Sequence, residues 1–123
     1  MKMKLFTLIG TGFVFTIAAF SAQGFDLHFL KHSPARHFTK QDWEIAKTAT
    51  RDILENHELG ESVMWDNPDS GNSGALKITK AGTSSGKLCK RLQITNRAKG
   101  QEHTSSYVFC RQPDGTWKAM LKK

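Results

Sequence analysis

Cysteine is scarce in this chain: two of its 123 residues, Cys89 and Cys110. No Cys-x-x-Cys spacing suggests thiol exchange between them. Acidic residues are the minority, 11 against 18 basic, for a formal charge of +7. The glycines form no phosphate-binding motif, and Asp66 and Asp69, although close together, are not part of an alternating oxygen-ligand loop closed by Glu. Serines sit in turn-rich stretches, and none reads as the nucleophile elbow of a hydrolase or as a helical Ser-x-x-Lys pair. Internal repeats and low-complexity segments are also missing. These absences leave no catalytic constellation and call for no cofactor and no metal.

Charge is missing altogether from the 16 residues Leu5 to Phe20, which follow the positive start Met1-Lys2-Met3-Lys4. That stretch is shorter than the roughly 20 residues a spanning helix needs, and Thr7, Gly10, Thr11, Gly12 and Thr16 dilute it. It reads as a cleavable signal peptide, residues 1–24, cut after Ala22-Gln23-Gly24 or, as a second choice, after Ala19-Phe20-Ser21. No transmembrane helix is then expected in the mature protein, and no cysteine follows the stretch to accept lipid. Processing after Gly24 removes Lys2 and Lys4 and leaves 16 basic against 11 acidic residues, a charge of +5.

About 100 residues remain, enough for one domain. Residues 25–38 mix aromatics and histidines around Pro34 without periodicity and read as an N-terminal arm. Thr39-Lys40-Gln41-Asp42 supplies a capping oxygen and an acid in the first turn of a helix. Trp43, Ala46, Ala49 and Ile53, flanked by Ile45 and Leu54, share one face of it to about Asn56, before Gly60. The period then switches to alternation: Val63 and Trp65, Leu76 and Ile78, Leu92 and Ile94, Tyr107 and Phe109, then Trp117. Loops are read at 66–74, 81–86 and 113–115 from their Gly, Pro, Ser, Asn and Asp content. The expected fold is α+β over 39–123: one amphipathic helix packed on a small antiparallel sheet of about five strands.

A hairpin centred on Lys99-Gly100 would place Cys89 opposite Cys110, Leu92 opposite Tyr107 and Arg91 opposite Val108. Leu92, Ile94, Tyr107 and Phe109 would share the face toward the helix. In an oxidising compartment the cysteines would form a structural disulfide stapling this hairpin. Two buried thiols, or a metal or redox role, are the alternatives.

His28, His32 and His37 carry the only metal-like spacing, but no Glu accompanies the pair and Ser33-Pro34 interrupts it. Trp65, Tyr107 and Trp117 could form a sugar platform, or could be core. Basic residues gather at Lys87, Lys90, Arg91, Arg97 and Lys99, and again at Lys118, Lys122 and Lys123. They would serve as a solvated face or meet an anionic surface component. Aromatics do not interleave with them, so no nucleic acid is expected as a partner.

Three motifs occur in order: W-x-N-P-x-S-G-x-x-G on Trp65, Asn67, Pro68, Ser70, Gly71 and Gly74; C-x-R on Cys89 and Arg91; and C-R-x-x-D-G-x-W on Cys110, Arg111, Asp114, Gly115 and Trp117. With the helix before them, they resemble the C-terminal domain of the bacterial 17 kDa surface antigen family, over about 80 residues from Thr39 to Lys118. The family's lipid-acceptor cysteine and glycine-rich repeat have no counterpart here. The resemblance implies a non-enzymatic cell-envelope protein of Gram-negative bacteria, with these residues serving as scaffold. The expected location is the periplasm or cell surface, with release as a further option, and the expected partner is an envelope protein or an anionic surface component. A secreted effector or inhibitor, binding a host or competitor molecule through the 66–74 loop and the basic patch, is the alternative.

Overall fold

The computed structural model describes Leu27, Leu30 and residues 33–121. The signal-peptide stretch, His28 and His32, and Lys122 and Lys123 lie outside the described residues.

A short 3-10 helix, Pro34–His37, leads into helix α1, Lys40–Asn56. Five strands follow: β1 Ser62–Asn67, β2 Asn72–Ser84, β3 Lys87–Ala98, β4 Gln101–Arg111 and β5 Trp117–Met120. They form one antiparallel meander in sequence order. The expected α+β architecture, one helix on a five-stranded antiparallel sheet, is the observed one.

Helix α1 starts where its caps dictate. The Thr39 hydroxyl accepts from the Asp42 N–H at 3.0 Å, and the Asp42 carboxylate accepts from the Thr39 N–H at 2.8 Å. This reciprocal capping box satisfies two N–H groups that helical bonding leaves open. Ala46, Ala49, Ile53 and Leu54 are buried at helical spacing, together with Asp42 and Thr50. At the other end, Lys90 donates to the carbonyls of Leu54 at 2.7 Å and His57 at 2.9 Å, so a strand residue closes the helix C-terminus.

Residues opposite one another across the strands share a face. One face, with Trp65, Leu76, Ile78, Leu92, Ile94, Phe109 and Trp117, is buried with α1 in a single core. Helix α1 lies over β1 and β2, and the 3-10 segment over β3 and β4. Leu27, Leu30 and Ala35 are members of that core. The described part of the N-terminal arm is therefore packed rather than free. It has no periodicity because it covers the sheet as an irregular strap, anchored where Ser33 caps the 3-10 helix through the Ala35 N–H at 3.1 Å.

The loops are tighter than composition suggests. The 66–74 stretch reduces to a turn over 68–71, and the 81–86 stretch is strand up to Ser84, closed by Ser85-Gly86. Ser85 and Gly86, like Lys99 and Gly100 at the next hairpin, have positive φ at both turn positions. That twist matches the strands it joins. Residues 81–84 are exposed on both faces. No apolar alternation marks them, and a Gly-Thr-Ser strand is then indistinguishable from a loop.

Candidate functional site

The W-x-N-P-x-S-G-x-x-G residues meet the first turn of α1. Asp42 is fully buried. Its Oδ1 accepts from Asn67 Nδ2 and Ser70 Oγ, each at 2.7 Å, and its Oδ2 accepts from Asn72 Nδ2 at 2.7 Å and the Thr39 N–H at 2.8 Å. Asn67 Nδ2 also reaches Gln41 Oε1 at 3.2 Å. Four donors on two oxygens fill the lone-pair sites of a carboxylate. Burial pushes the carboxyl up, but the Thr39 N–H and the side chains of Asn72, Ser70 and Asn67 outweigh it and hold the pKa at about 2. With every acceptor position taken, Asp42 is suited to anchoring the turn and poorly suited to proton transfer.

The rest of the motif builds the same corner. Asn67 accepts at its Oδ1 from the Asp69 N–H, and Gly71, at φ +81°, donates back to the Asn67 carbonyl at 2.8 Å. Pro68 and Asp69 are left on the surface. Trp65 lies directly across from Gly74, and a methyl group on Gly74 would sit 2.8 Å from Cε2 of the indole. Glycine is required there because the ring occupies the space. Phe38 meets both Trp43 and Trp65 edge to face, at 5.3 and 5.2 Å between ring centroids.

At the opposite end of the sheet Cys89 and Cys110 face one another across β3 and β4 and form the disulfide. They lie on the face turned away from α1. Asp114 closes the last hairpin by accepting from both the hydroxyl and the N–H of Thr116, at 2.6 and 3.0 Å, and these bonds hold its carboxyl below the usual range. Gly115, at φ +90°, completes the turn. Trp117 is then returned to the core, 4% exposed, with Lys90 Nζ 5.7 Å from the ring centre. Its indole N–H has no hydrogen-bond partner.

Two motif residues have no comparable part in the scaffold. Arg91 and Arg111 are both exposed. Arg111 lies opposite Trp117 at the end of β4, and Arg91 opposite Val108 on the outer face.

The linear basic cluster divides in three dimensions. Lys90 turns inward to the helix end, Arg97 pairs with Glu102 at 2.8 Å near the Lys99-Gly100 turn, and Lys87 donates to Gln112 at 3.2 Å. Lys87, Arg91 and Lys118 remain on one side of the sheet at the disulfide end, with Lys80 opposite Arg91.

Residues 52–118 match the profile described as 17 kDa outer membrane surface antigen. The chain belongs to the 17 kDa outer membrane surface antigen family. It is 34% identical over 82 residues to the 17 kDa surface antigens of Rickettsia bellii and Rickettsia felis, and 30% identical over 82 residues to that of Rickettsia prowazekii. Each alignment covers 66% of this chain and 52% of the relative, so the chain spans about half the length of the curated relatives it matches. No solved structure matches it.

The profile of this surface antigen family begins inside α1, after Asp42. The anchor that receives the Asn67, Ser70 and Asn72 side chains therefore lies outside the matched segment. In the sequence Asp42 stands out as a helix-start acid, whereas Asn72 and Lys80 carry no signal of their own. An Asp at the third helical position signals a cap, and nothing in its spacing reveals partners 25 to 30 residues away.

One pattern matches a hydrolase motif in letters alone. Gly82-Thr83-Ser84-Ser85-Gly86 has Gly-x-Ser-x-Gly spacing. It forms an exposed hairpin between β2 and β3, without the helix that a nucleophile elbow requires. Among the described residues no group of three or more His, Cys, Asp or Glu comes together to hold a metal ion, and no helix is long and apolar enough to cross a membrane.

Proposed function

We propose that this chain is exported and that its folded part is a non-enzymatic envelope domain of the surface antigen type, with a structural or partner-binding role. The observation that carries the reading is the Asp42 corner. Asn67, Ser70 and Asn72, which could have formed a polar site, are engaged by a buried carboxylate whose acceptor positions are full. The remaining motif residues are turns, a staple and core aromatics, apart from the two arginines. An effector acting through the 66–74 loop would have to use its exposed residues Asp66, Pro68 and Asp69 instead. The outer basic face is the surface this reading assigns to recognition.

Export is tested by the intact mass of protein recovered from periplasm, membrane and medium, with and without reduction and alkylation. The expected species begins near Phe25 and is lighter by the two thiol hydrogens of the Cys89–Cys110 bond. An uncut chain with two alkylated thiols would overturn the export reading. Cross-linking from Arg91, followed by identification of what is captured, tests the partner-binding role, and failure of any envelope component to attach there would leave only a structural one.

A further inference from the structure

The outer face carries a charge arrangement that the fold does not need. Between Ile78 and Lys80 the pairing of β2 with β3 slips by one residue. Such a bulge re-aims the side chains that follow it. Ile78 pairs with Leu92 in the core, yet Lys80 pairs with Arg91, two residues from Cys89 on the disulfide face. Like charges placed directly opposite one another destabilise a sheet. Lys118, opposite Cys110, adds a third cation. All three are exposed, and none forms an ion pair among the described residues.

Beside these cations lies apolar surface. Val108 follows Arg91 across the sheet, then Met120 on β5, which is 52% exposed. Lys80, Gly82, Cys89, Arg91 and Val108 line a groove of about 250 Å³. The acids on this face, Asp66 and Glu102, are at the opposite end, and Glu102 is already paired with Arg97. Cations grouped beside the half-buried Val108 and the exposed Met120 match the headgroup boundary of an anionic bilayer, where phosphates meet the charges and an apolar side chain enters the acyl edge. A soluble polyanion would satisfy the charges and leave Met120 in water.

We propose that this corner of the sheet, Lys80, Arg91 and Lys118 with Val108 and Met120, docks the domain onto a membrane rich in anionic phospholipid. The proposal deepens the partner-binding reading above and rests on it.

The test is co-sedimentation of the full chain with phosphatidylcholine vesicles, with and without phosphatidylglycerol. The apolar stretch Leu5–Phe20 would act on both vesicle types, so the quantity read is the ratio of the two affinities. Each surface cation near an anionic membrane contributes about five-fold, so the three together should account for roughly 100-fold of that ratio at low salt. K80Q/R91Q/K118Q should lose that part. The charge-matched K40Q/K47Q/K99Q, altered away from this corner, should keep it. Met120→Gln should weaken anionic-vesicle binding further without changing its salt dependence. Equal losses in the two triple variants would reduce the effect to net charge and overturn the proposal. So would a ratio near one in the unaltered chain, or binding of an acidic polysaccharide through these residues without vesicle binding. If vesicles fail while Arg91 cross-links to an envelope protein, the docking proposal falls and the partner-binding reading stands.

Discussion

At one end of the sheet, on its inner face, a buried carboxylate is met by four hydrogen-bond donors; at the other end, on the outer face, a lysine and an arginine stand opposite one another with no acid between them. The first arrangement makes a buried charge tolerable because every lone pair is used. The second is tolerable because water covers it, and it contributes nothing to holding the chain together. The contrast separates residues that keep the fold from residues available to something outside it, within a motif set that looks uniform when read as a string.

Removing the anchor should produce the largest effect. Asp42→Ala strands the donors of Asn67, Ser70 and Asn72 in a buried corner and breaks the helix cap, with an expected loss of about 4 kcal/mol in urea unfolding. Asp42→Asn should recover little of it, because its amide presents donors where donors already point. A loss below about 1 kcal/mol would mean that water reaches these groups, and the two ends would no longer differ in kind.

Opening the disulfide should cost less, about 3 kcal/mol for a loop of this length, by restoring freedom to the unfolded chain. Because the bond lies on the outer face at the far end, Cys89→Ser with Cys110→Ser should leave the side-chain amide resonances of Asn67 and Asn72 in place in folded protein. If those resonances collapse together with the bond, the two ends form one cooperative unit rather than two devices.

Acid should act on the anchor next. The folded pKa of Asp42 is about 2 against an ordinary 3.8, so its stabilisation is present above the unfolded value and is lost as pH falls from about 4 toward 2. The loss should amount to about 2 kcal/mol across that window, read as a drop in unfolding midpoint. Asp42→Ala should flatten that part of the profile, whereas Lys80→Gln should leave it intact.

The same division explains what could be read in advance. Helix α1 was legible because Thr39 and Asp42 announce its start and its apolar residues recur at helical spacing. The β3–β4 register was legible because Lys99-Gly100 sets a two-residue turn, and a fixed turn places Cys89 opposite Cys110. Leu27, Leu30 and Ala35 were hidden because an irregular strap has no period. Asp42's partners were hidden because polar contacts between distant segments leave no repeat. Lys80 was hidden by the bulge, since one inserted residue changes which face every later side chain on that strand occupies.

The smallest expected effect tests the outer face. If Lys80 and Arg91 stand together at the expense of the fold, relieving their repulsion should stabilise the protein. Lys80→Gln should raise the unfolding midpoint by the equivalent of a few tenths of a kcal/mol, and Lys80→Glu, which converts the pair to opposite charges, by somewhat more. Both gains should shrink in high salt, because exposed charges are screened there. A neutral or lower midpoint for Lys80→Glu would show that solvent already absorbs the repulsion. The pairing would then be an ordinary cationic surface, and vesicle binding alone would have to justify the docking site. A clear gain, accompanied by weaker vesicle binding in the same variant, would mean that stability is given up at this end of the sheet for recognition, whereas at the Asp42 end the buried polar groups work for the fold.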